Sequence, residues 1–332
     1  MNDGYRIFGG ELSPYSIKVR AYFRYKRLPH QWIVRNLQNM DEYNRRARVP
    51  IIPLVITPDD RSIQDSTPIL EELEALHPSP SIQPADPELA FLSALIEEFG
   101  DEWAVKPMFH YRWTYPADQH SAALRIARDM GPGQTDDELA PFAEAVRARM
   151  VGRLPVVGSC AATLDTIEGS FRELIQILET HLASRPYLFG ARPALADFGL
   201  GPELHQCASD PTAGALLRAH APRVVAWGER MLDPRGTGDF ETWNALAPTL
   251  EPLLERQVAR FYFPWSAANA RAVEAGLPSF TVNFEGRAWT ESAARYPVKS
   301  LAALRLRYAK VSDRSALDPI LERTGCLAWL VA

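Results

Sequence analysis

Short strand-like and helix-like runs alternate over the first eighty residues, and their order limits the fold more than any other feature of the chain. A strand-like run at residues 5–9 precedes a helix that begins at Pro14, where apolar residues recur at spacings of three and four. Ser13 supplies a hydroxyl N-cap directly before a proline at the first helical position, which is a strong start signal. Residues 31–34 return to strand character, and the polar residues 40–47 predict a short helix or a loop.

A hairpin and a second helix complete this part of the chain. Residues 53–57 and 62–64 are short runs joined by the turn Pro58-Asp59-Asp60, which predicts two antiparallel strands. The helix that follows ends at Pro78. The order strand, helix, strand, hairpin, helix is a βαβ half joined to a ββα half, which is the thioredoxin arrangement. We therefore expect an α/β domain with a thioredoxin-like fold at residues 1–79.

The remainder of the chain predicts a helical domain and an appendage. Residues 78–88 are rich in proline and polar side chains, as is typical of an interdomain linker. Helices are predicted at about 87–113, 137–150, 163–183, 195–208, 221–232 and 242–260. Beyond them the sequence predicts a small hairpin across Glu285-Gly286 and a helix around 296–310. We expect an all-helical domain at 88–255 and a C-terminal extension at 256–332.

Composition excludes several classes of function. The chain has 332 residues and a net charge of -5, so its overall field attracts neither nucleic acid nor an anionic membrane. It has no apolar run of membrane-spanning length, and Met1 to Gly10 lacks the pattern of a secretory signal. Its three cysteines are scattered and form no metal motif. We expect a cytoplasmic protein without a metal, a nucleic-acid partner or a membrane partner.

The start of the first helix is a candidate site for an anion. Free N–H groups and the positive end of the helix dipole stabilise a thiolate placed there. Because the turn contains no cysteine, the thiol would have to come from a bound ligand, and the Ser13 hydroxyl could donate a hydrogen bond to its sulfur. An equally weighted alternative is that Ser13 acts only as an N-cap.

Two further segments could bind a peptide-like ligand. Pro53 opens the third strand, where a cis Ile52-Pro53 bond and an unpaired strand edge would suit an extended peptide. Pro50 competes for this role, and a simple strand-start proline is the more common explanation. Asp65 and Ser66 lie at a helix N-terminus and could hold the ammonium and the carboxylate of an amino acid, although an ordinary helix cap is commoner.

Together these segments resemble the N-terminal domain of cytosolic glutathione transferases. The matching stretches are SPYSIKVRAYF, IIPLVITPDDRSIQDS and DSTPILEELE, and the step from Pro53 to Asp65 is the family's usual one, which favours Pro53 over Pro50. The resemblance implies that Ser13 activates the glutathione thiol and that the main chain of Ile52 pairs with its cysteinyl unit. It also implies that Asp65 and Ser66 bind the γ-glutamyl end. The candidates for binding the glycyl carboxylate are Gln38, Asn39 and Arg48.

The helical part resembles the second domain of the same family. The stretch RPYLFGARPALADFGLGPEL contains Asp197 at the family's structural capping position, but Ala194 replaces the hydroxyl residue three positions earlier. The aromatic helix at 97–113 falls where the family has the wall facing the active cleft, although such a stripe is more often core. The pocket for the second substrate is expected to include the following residues: Tyr15, His110, Tyr111 and Trp113.

The extension resembles the C-terminal region of a group of bacterial transferase-like proteins, in FYFPWSAANARAVEAG, FEGRAW and ERTGCLAWL. It could cover the cleft or support a dimer. The resemblance implies a homodimer with glutathione as co-substrate, which conjugates the glutathione thiolate to a small hydrophobic electrophile. A glutathione-dependent reductase is a weaker alternative, because serine stands where such enzymes have cysteine. A third hypothesis is a non-catalytic protein that binds glutathione or an apolar ligand.

Overall fold

The computed structural model describes residues 4–331 and begins with a small sheet flanked by helices. This first part consists of β1 (Tyr5–Gly9), α1 (Pro14–Tyr25), β2 (His30–Val34), α2 (Met40–Arg46), β3 (Leu54–Ile56), β4 (Ser62–Gln64) and α3 (Ser66–Leu76). The sheet has the strand order β2-β1-β3-β4. β1 runs parallel to β2 and antiparallel to β3, and β3 is antiparallel to β4. The predicted thioredoxin-like arrangement is confirmed.

Helices make up the second part, which confirms the predicted fold class. They are α4 (Pro87–Phe99), α5 (Val105–Thr114), α6 (Pro116–Met130), α7 (Asp136–Val151), α8 (Leu164–His181), α9 (Leu195–Ser209), α10 (Pro211–His220), α11 (Pro222–Arg230) and α12 (Trp243–Leu253). Two of them, α6 and α10, were not predicted. Residues 77–86, between α3 and α4, have no regular structure.

A π-helical segment interrupts the helix that the sequence predicts at 87–113. Residues Gly100–Ala104 form π-helical turns between α4 and α5, and α9 packs against them. A Cβ atom on Gly100 would lie 2.9 Å from the main chain of Gly199, and one on Gly199 would lie 2.7 Å from the Cα of Glu97. The two glycines therefore allow a close approach of α9 to the inserted turn. π-helical insertions of this kind often occur at functional sites.

The extension is a third layer on the helical part. It contains α13 (Phe263–Glu274), β5 (Ser279–Phe284), β6 (Arg287–Ser292), α14 (Arg295–Ala309), α15 (Leu317–Arg323) and α16 (Leu327–Leu330), and a second π-helical segment, Leu254–Tyr262, leads into it. Helix α13 was not predicted, whereas the hairpin and α14 occur close to their predicted positions. Trp265 and Trp289 of the extension pack on Trp103 in the first π-helical segment. No helix among residues 4–331 is long and apolar enough to cross a membrane.

Asp197 joins three pieces of chain inside the helical part. Its carboxylate accepts hydrogen bonds of 2.9 Å from the main-chain N–H groups of Leu188 and Ala194 and from the indole N–H of Trp227. The bond from Ala194 is one half of a capping box; the other half is missing because alanine has no side-chain acceptor. Asp197 is fully buried, so all three donors depend on it.

We expect Asp197→Ala to lower the free energy of unfolding by about 3–5 kcal/mol, because it leaves buried donors without an acceptor. Asp197→Asn keeps one acceptor oxygen and should cost less. Glu138→Ala, which removes the exposed capping partner of Thr135, is the matched control and should cost at most about 1 kcal/mol. Urea denaturation measures all three, and equal losses for Asp197→Ala and Glu138→Ala would contradict the structural role.

Candidate functional site

A cleft of about 760 Å³ lies where the sheet domain, the first π-helical segment and the extension meet. Its wall from the sheet domain includes Tyr15, Arg35, Pro50, Ile51, Ile52, Pro53, Asp65 and Ser66. The helical part contributes Asp101, Glu102, Val105, Lys106, Met150, Arg153 and Val156, and the extension contributes Trp265, Glu291, Ala294, Tyr296 and Pro297. All three parts of the chain are therefore needed to form it.

The loop before β3 presents a free main-chain edge to this cleft. The Ile52-Pro53 peptide bond is cis, and Pro53 is buried just before β3 begins. Among residues 4–331, no hydrogen bond to the N–H or C=O of Ile52 occurs. The carbonyl of Ile51 is held by the Tyr43 hydroxyl at 2.6 Å. The loop is therefore fixed from behind, while the Ile52 main chain is available for pairing with an extended peptide.

Asp65 and Ser66 lie on the same wall. Asp65 has φ 81°, a conformation that residues with a side chain rarely adopt and that occurs at active sites as well as in turns. Ser66 is the first residue of α3, so its N–H has no acceptor within the helix. An amino-acid carboxylate could bind at this N-terminus, and its ammonium could bind the Asp65 carboxylate.

The start of α1 contributes Tyr15 to the cleft. The Ser13 oxygen caps the helix by accepting from the N–H of Ser16 at 3.2 Å, but Ser13 is not among the residues that line the cleft. Tyr15 donates to the main-chain oxygen of Asp101 at 2.9 Å. Burial, and after it the nearby carboxyl of Glu203, raises the pKa of Tyr15 well above its usual range. Tyr15 is therefore a neutral hydrogen-bond donor at physiological pH.

A buried ion cluster lies beneath the cleft. The Lys18 ammonium of α1 contacts Glu97 at 2.5 Å, Asp101 at 2.6 Å and the Thr67 hydroxyl at 3.0 Å. One ammonium neutralises only one of the two carboxylates, and burial raises the pKa of Asp101 to about 7.

Among the described residues, no group of three or more acidic, histidine or cysteine side chains could hold a metal ion.

Several residues that the sequence assigned to the site lie elsewhere. His110, Tyr111 and Trp113 are buried in the helical part and do not line the cleft. His110 instead bonds the Ser159 hydroxyl at 2.7 Å, so this aromatic stripe belongs to the core. Gln38 and Arg48 are exposed, and neither reaches the cleft. The structure brings together Tyr15, Ile52, Pro53, Asp65 and Ser66 from the predicted set.

Sequence reasoning missed several cleft residues, among them Arg35, Lys106, Glu291 and Tyr296. Arg35 directly follows β2 in the strand–helix loop where a basic group was sought, so its position was a usable signal. Lys106 and Glu291 form an ion pair of 2.9 Å, which the indole N–H groups of Trp265 and Trp289 complete by donating to Glu291. Their separation along the chain gave no signal in the sequence.

Family models of the two domains match this chain. The glutathione S-transferase N-terminal domain matches residues 7–81, and the glutathione S-transferase C-terminal domain matches residues 143–230. The chain belongs to the glutathione S-transferase superfamily. No curated protein sequence matches this chain significantly.

Many solved structures resemble this protein in fold, and the following three share a low sequence identity with it. A glutathione S-transferase from Methylobacterium radiotolerans in complex with glutathione sulfonate is 20% identical, with a TM-score of 0.41, covering 72% of this chain and 96% of its own. A beta-etherase from Sphingobium is 19% identical, with a TM-score of 0.49 and coverages of 76% and 99%. A maleylacetoacetate isomerase from Anaeromyxobacter dehalogenans with bound glutathione is 21% identical, with a TM-score of 0.36 and coverages of 70% and 96%.

We expect the free energy of unfolding of this protein to fall as the pH rises from about 4 to about 7, because of Asp101. The folded-state pKa of about 7 lies above the unfolded value of about 4, so the folded state holds the extra proton between those limits. Within those limits the free energy of unfolding would fall by up to about 1.4 kcal/mol per pH unit, and the fall would level off above about pH 7, where folded Asp101 ionises as well.

Asp101→Asn should flatten this slope when urea denaturation is repeated between pH 4 and 8. Asp136→Asn is the control, because hydrogen bonding to Arg128 lowers the pKa of Asp136 and moves its titration below this window. An unchanged slope in Asp101→Asn would mean that Asp101 is already ionised throughout.

Proposed function

We propose that this protein conjugates the thiol of glutathione to a small, apolar electrophile. The observation that carries the proposal is that the unpaired main chain of Ile52 faces the same cleft as Asp65 and Ser66. A γ-glutamyl tripeptide has the groups that suit these positions: a central peptide unit and an amino-acid head. On the family resemblance alone, the proposal includes a cytoplasmic homodimer.

The tripeptide would lie across the edge before β3. Its cysteinyl unit would pair with the main chain of Ile52, and its γ-glutamyl carboxylate would bind the N–H of Ser66 at the start of α3. The γ-glutamyl ammonium would bind Asp65. Arg35, whose guanidinium stacks on the Tyr43 ring at 5.1 Å, would bind the glycyl carboxylate. The predicted alternatives Gln38 and Arg48 lie outside the cleft.

The sulfur would then lie near the start of α1. The Ser13 oxygen accepts the capping bond from Ser16, which leaves its hydrogen available to a thiolate, and the helix dipole adds to the stabilisation. The thiolate attacks the electrophilic carbon of the acceptor and forms a carbon–sulfur bond. In a substitution, the leaving group departs with its bonding electrons; the thiol proton goes to solvent. The protein contributes thiol ionisation and proximity.

A non-catalytic glutathione-binding protein is the second candidate, and one observation favours it. Ser13 does not line the cleft, and the hydroxyl of Tyr15 is already bound to the main chain of Asp101. Neither residue therefore presents a free hydroxyl to the cleft. A reductase is less favoured, because no cysteine occurs at the α1 turn.

We expect Ser13→Ala to lower turnover with a chloronitrobenzene acceptor by about 10- to 100-fold, the loss of one hydrogen bond to a charged group. The dissociation constant for glutathione should change little, since the sulfur contact contributes mainly to thiol ionisation. Ser13→Thr keeps both the hydroxyl and the helix cap and serves as the control. Absorbance of the conjugate gives turnover, and calorimetry gives glutathione binding.

The outcomes of this experiment separate the candidates. Unchanged turnover in Ser13→Ala together with a loss in Tyr15→Phe would move the activating role to Tyr15. If the wild-type protein is retained on a glutathione column but has no turnover, the protein is a carrier. If it shows neither retention nor turnover, glutathione is not its ligand.

We expect Arg35→Ala to raise the KM for glutathione about tenfold with little change in kcat, because the guanidinium binds a part of the ligand that does not react. Arg48→Ala is the comparison variant: Arg48 is an exposed arginine of the same domain that lines a neighbouring pocket beside Asp65 rather than the cleft. Steady-state kinetics at varied glutathione concentration measure both. A larger effect in Arg48→Ala would indicate that Arg48, rather than Arg35, binds the glycyl carboxylate.

A further inference from the structure

The C-terminal extension touches the candidate γ-glutamyl site directly. The hydroxyl of Tyr296, the second residue of α14, donates a hydrogen bond of 2.8 Å to the Oδ2 atom of Asp65. Tyr296 also lines the cleft beside Asp65 and Ser66. A residue more than two hundred positions further along the chain therefore contacts the acid that the proposed function assigns to the ligand ammonium.

Other contacts hold α14 in this position independently of Tyr296. Arg307 forms an ion pair with Glu71 of α3, at the far end of the same helix. The Ser300 hydroxyl donates to Glu98 of α4. Before the helix, the side chain of Asn269 makes two hydrogen bonds of 2.8 Å with the main chain of Ala294. These contacts hold α14 where the Tyr296 hydroxyl reaches Asp65. Removing this hydroxyl should therefore leave the position of α14 unchanged.

The contact leaves Asp65 able to bind a cation. Burial at the hydroxyl, and after it the carboxyl of Asp65, raises the pKa of Tyr296, so this group is a neutral donor at physiological pH. The donor occupies Oδ2 only, and no other hydrogen bond to the Asp65 carboxylate occurs among residues 4–331. One oxygen of the carboxylate is therefore held by a donor, while Oδ1 accepts no hydrogen bond from the described residues.

We propose that Tyr296 is a positioning residue of the glutathione site: its hydrogen bond to Asp65 Oδ2 orients the carboxylate so that Oδ1 receives the γ-glutamyl ammonium. This inference rests on the proposed function. Fixing the carboxylate before the ligand arrives lowers the entropy lost on binding. The alternative is that Tyr296 competes with the ammonium for Asp65. The two cases predict changes in glutathione affinity of opposite sign.

Tyr296→Phe in the full-length protein tests the inference, with Tyr308→Phe as the matched control. Tyr308 lies on the same helix, and its hydroxyl donates to a carboxylate, Asp318, at 2.7 Å, but it does not line the cleft. We expect Tyr296→Phe to raise the dissociation constant of glutathione about three- to tenfold, as measured by calorimetry. If the protein turns over glutathione, Tyr296→Phe should raise the KM for glutathione and leave kcat unchanged. Tyr308→Phe should leave both unchanged.

Two further measurements tie the effect to Asp65. Tyr296→Phe should have no additional effect in an Asp65→Ala background, because the group that it orients is gone. A glutathione analogue without the α-amino group should bind equally to the wild-type protein and to Tyr296→Phe. A full effect of Tyr296→Phe on this analogue would overturn the positioning role.

The remaining outcomes distinguish the inference from the function on which it rests. If the wild-type protein binds glutathione and Tyr296→Phe binds it equally, the inference is wrong and the proposed function stands. Tighter binding by Tyr296→Phe would show competition and overturn the positioning role as well. If the wild-type protein does not bind glutathione, the proposed function fails and this inference fails with it.

Discussion

The buried ammonium of Lys18 is the interaction on which the arrangement of the site depends. It reaches from α1 to Glu97 in α4 and Asp101 in the π-helical segment, and Thr67 of α3 completes its contacts. Removing one partner from such a cluster is costly, because the other charges stay buried without compensation. The cluster therefore links the sheet domain to the helical part directly below the cleft.

The inserted π-helical turn follows from the same junction. Between α4 and α5 it directs Asp101 toward Lys18 while Glu102, Val105 and Lys106 face the cleft. The close approach of α9 at Gly199 and Gly100 supports the turn from the opposite side. In a regular helix the residues after the insertion would face a direction about a quarter of a turn away, since a π-helical turn contains an additional residue. The inserted turn thus allows one helical stretch to contribute Asp101 to the buried ion cluster and Glu102, Val105 and Lys106 to the cleft.

The sequence predicted the sheet domain well because its signals are local. Ser13-Pro14 and the Pro58-Asp59-Asp60 turn mark element boundaries by their own conformational preferences, and these elements occur where they were predicted. Helix α6 was missed because its buried face consists mainly of alanine, including Ala122, Ala123 and Ala127, and so contains no large apolar side chain.

The cleft itself was harder to predict, because its wall depends on contacts between distant segments. The stripe that ends in His110, Tyr111 and Trp113 has the same helical spacing whether it faces a pocket or the core, and only the packing of neighbouring helices decides between them. Tyr296 gave no signal, since nothing local in α14 records that Asp65 lies beside it. The resemblance of the extension left a cover for the cleft and a dimer contact open, and the structure shows that the extension lines the cleft.

The distribution of charge in the cleft limits what can bind beside glutathione. The tripeptide carries one ammonium and two carboxylates, which the proposal assigns to Asp65, to the N–H of Ser66 and to Arg35. In the rest of the cleft, Lys106 is neutralised by Glu291, whose carboxylate also accepts two indole N–H groups. Burial, and after it the carboxyl of Glu98, raises the pKa of Glu102 above its usual range.

What remains for an acceptor is a mainly apolar wall. Val105, Met150, Val156 and Trp265 supply its apolar surface, and Arg153 is exposed to solvent, where its charge is largely screened. A charged acceptor would lose its hydration there without gaining a partner, whereas an apolar one would gain by leaving water. In the proposed function, this apolar wall favours a hydrophobic electrophile as the second substrate.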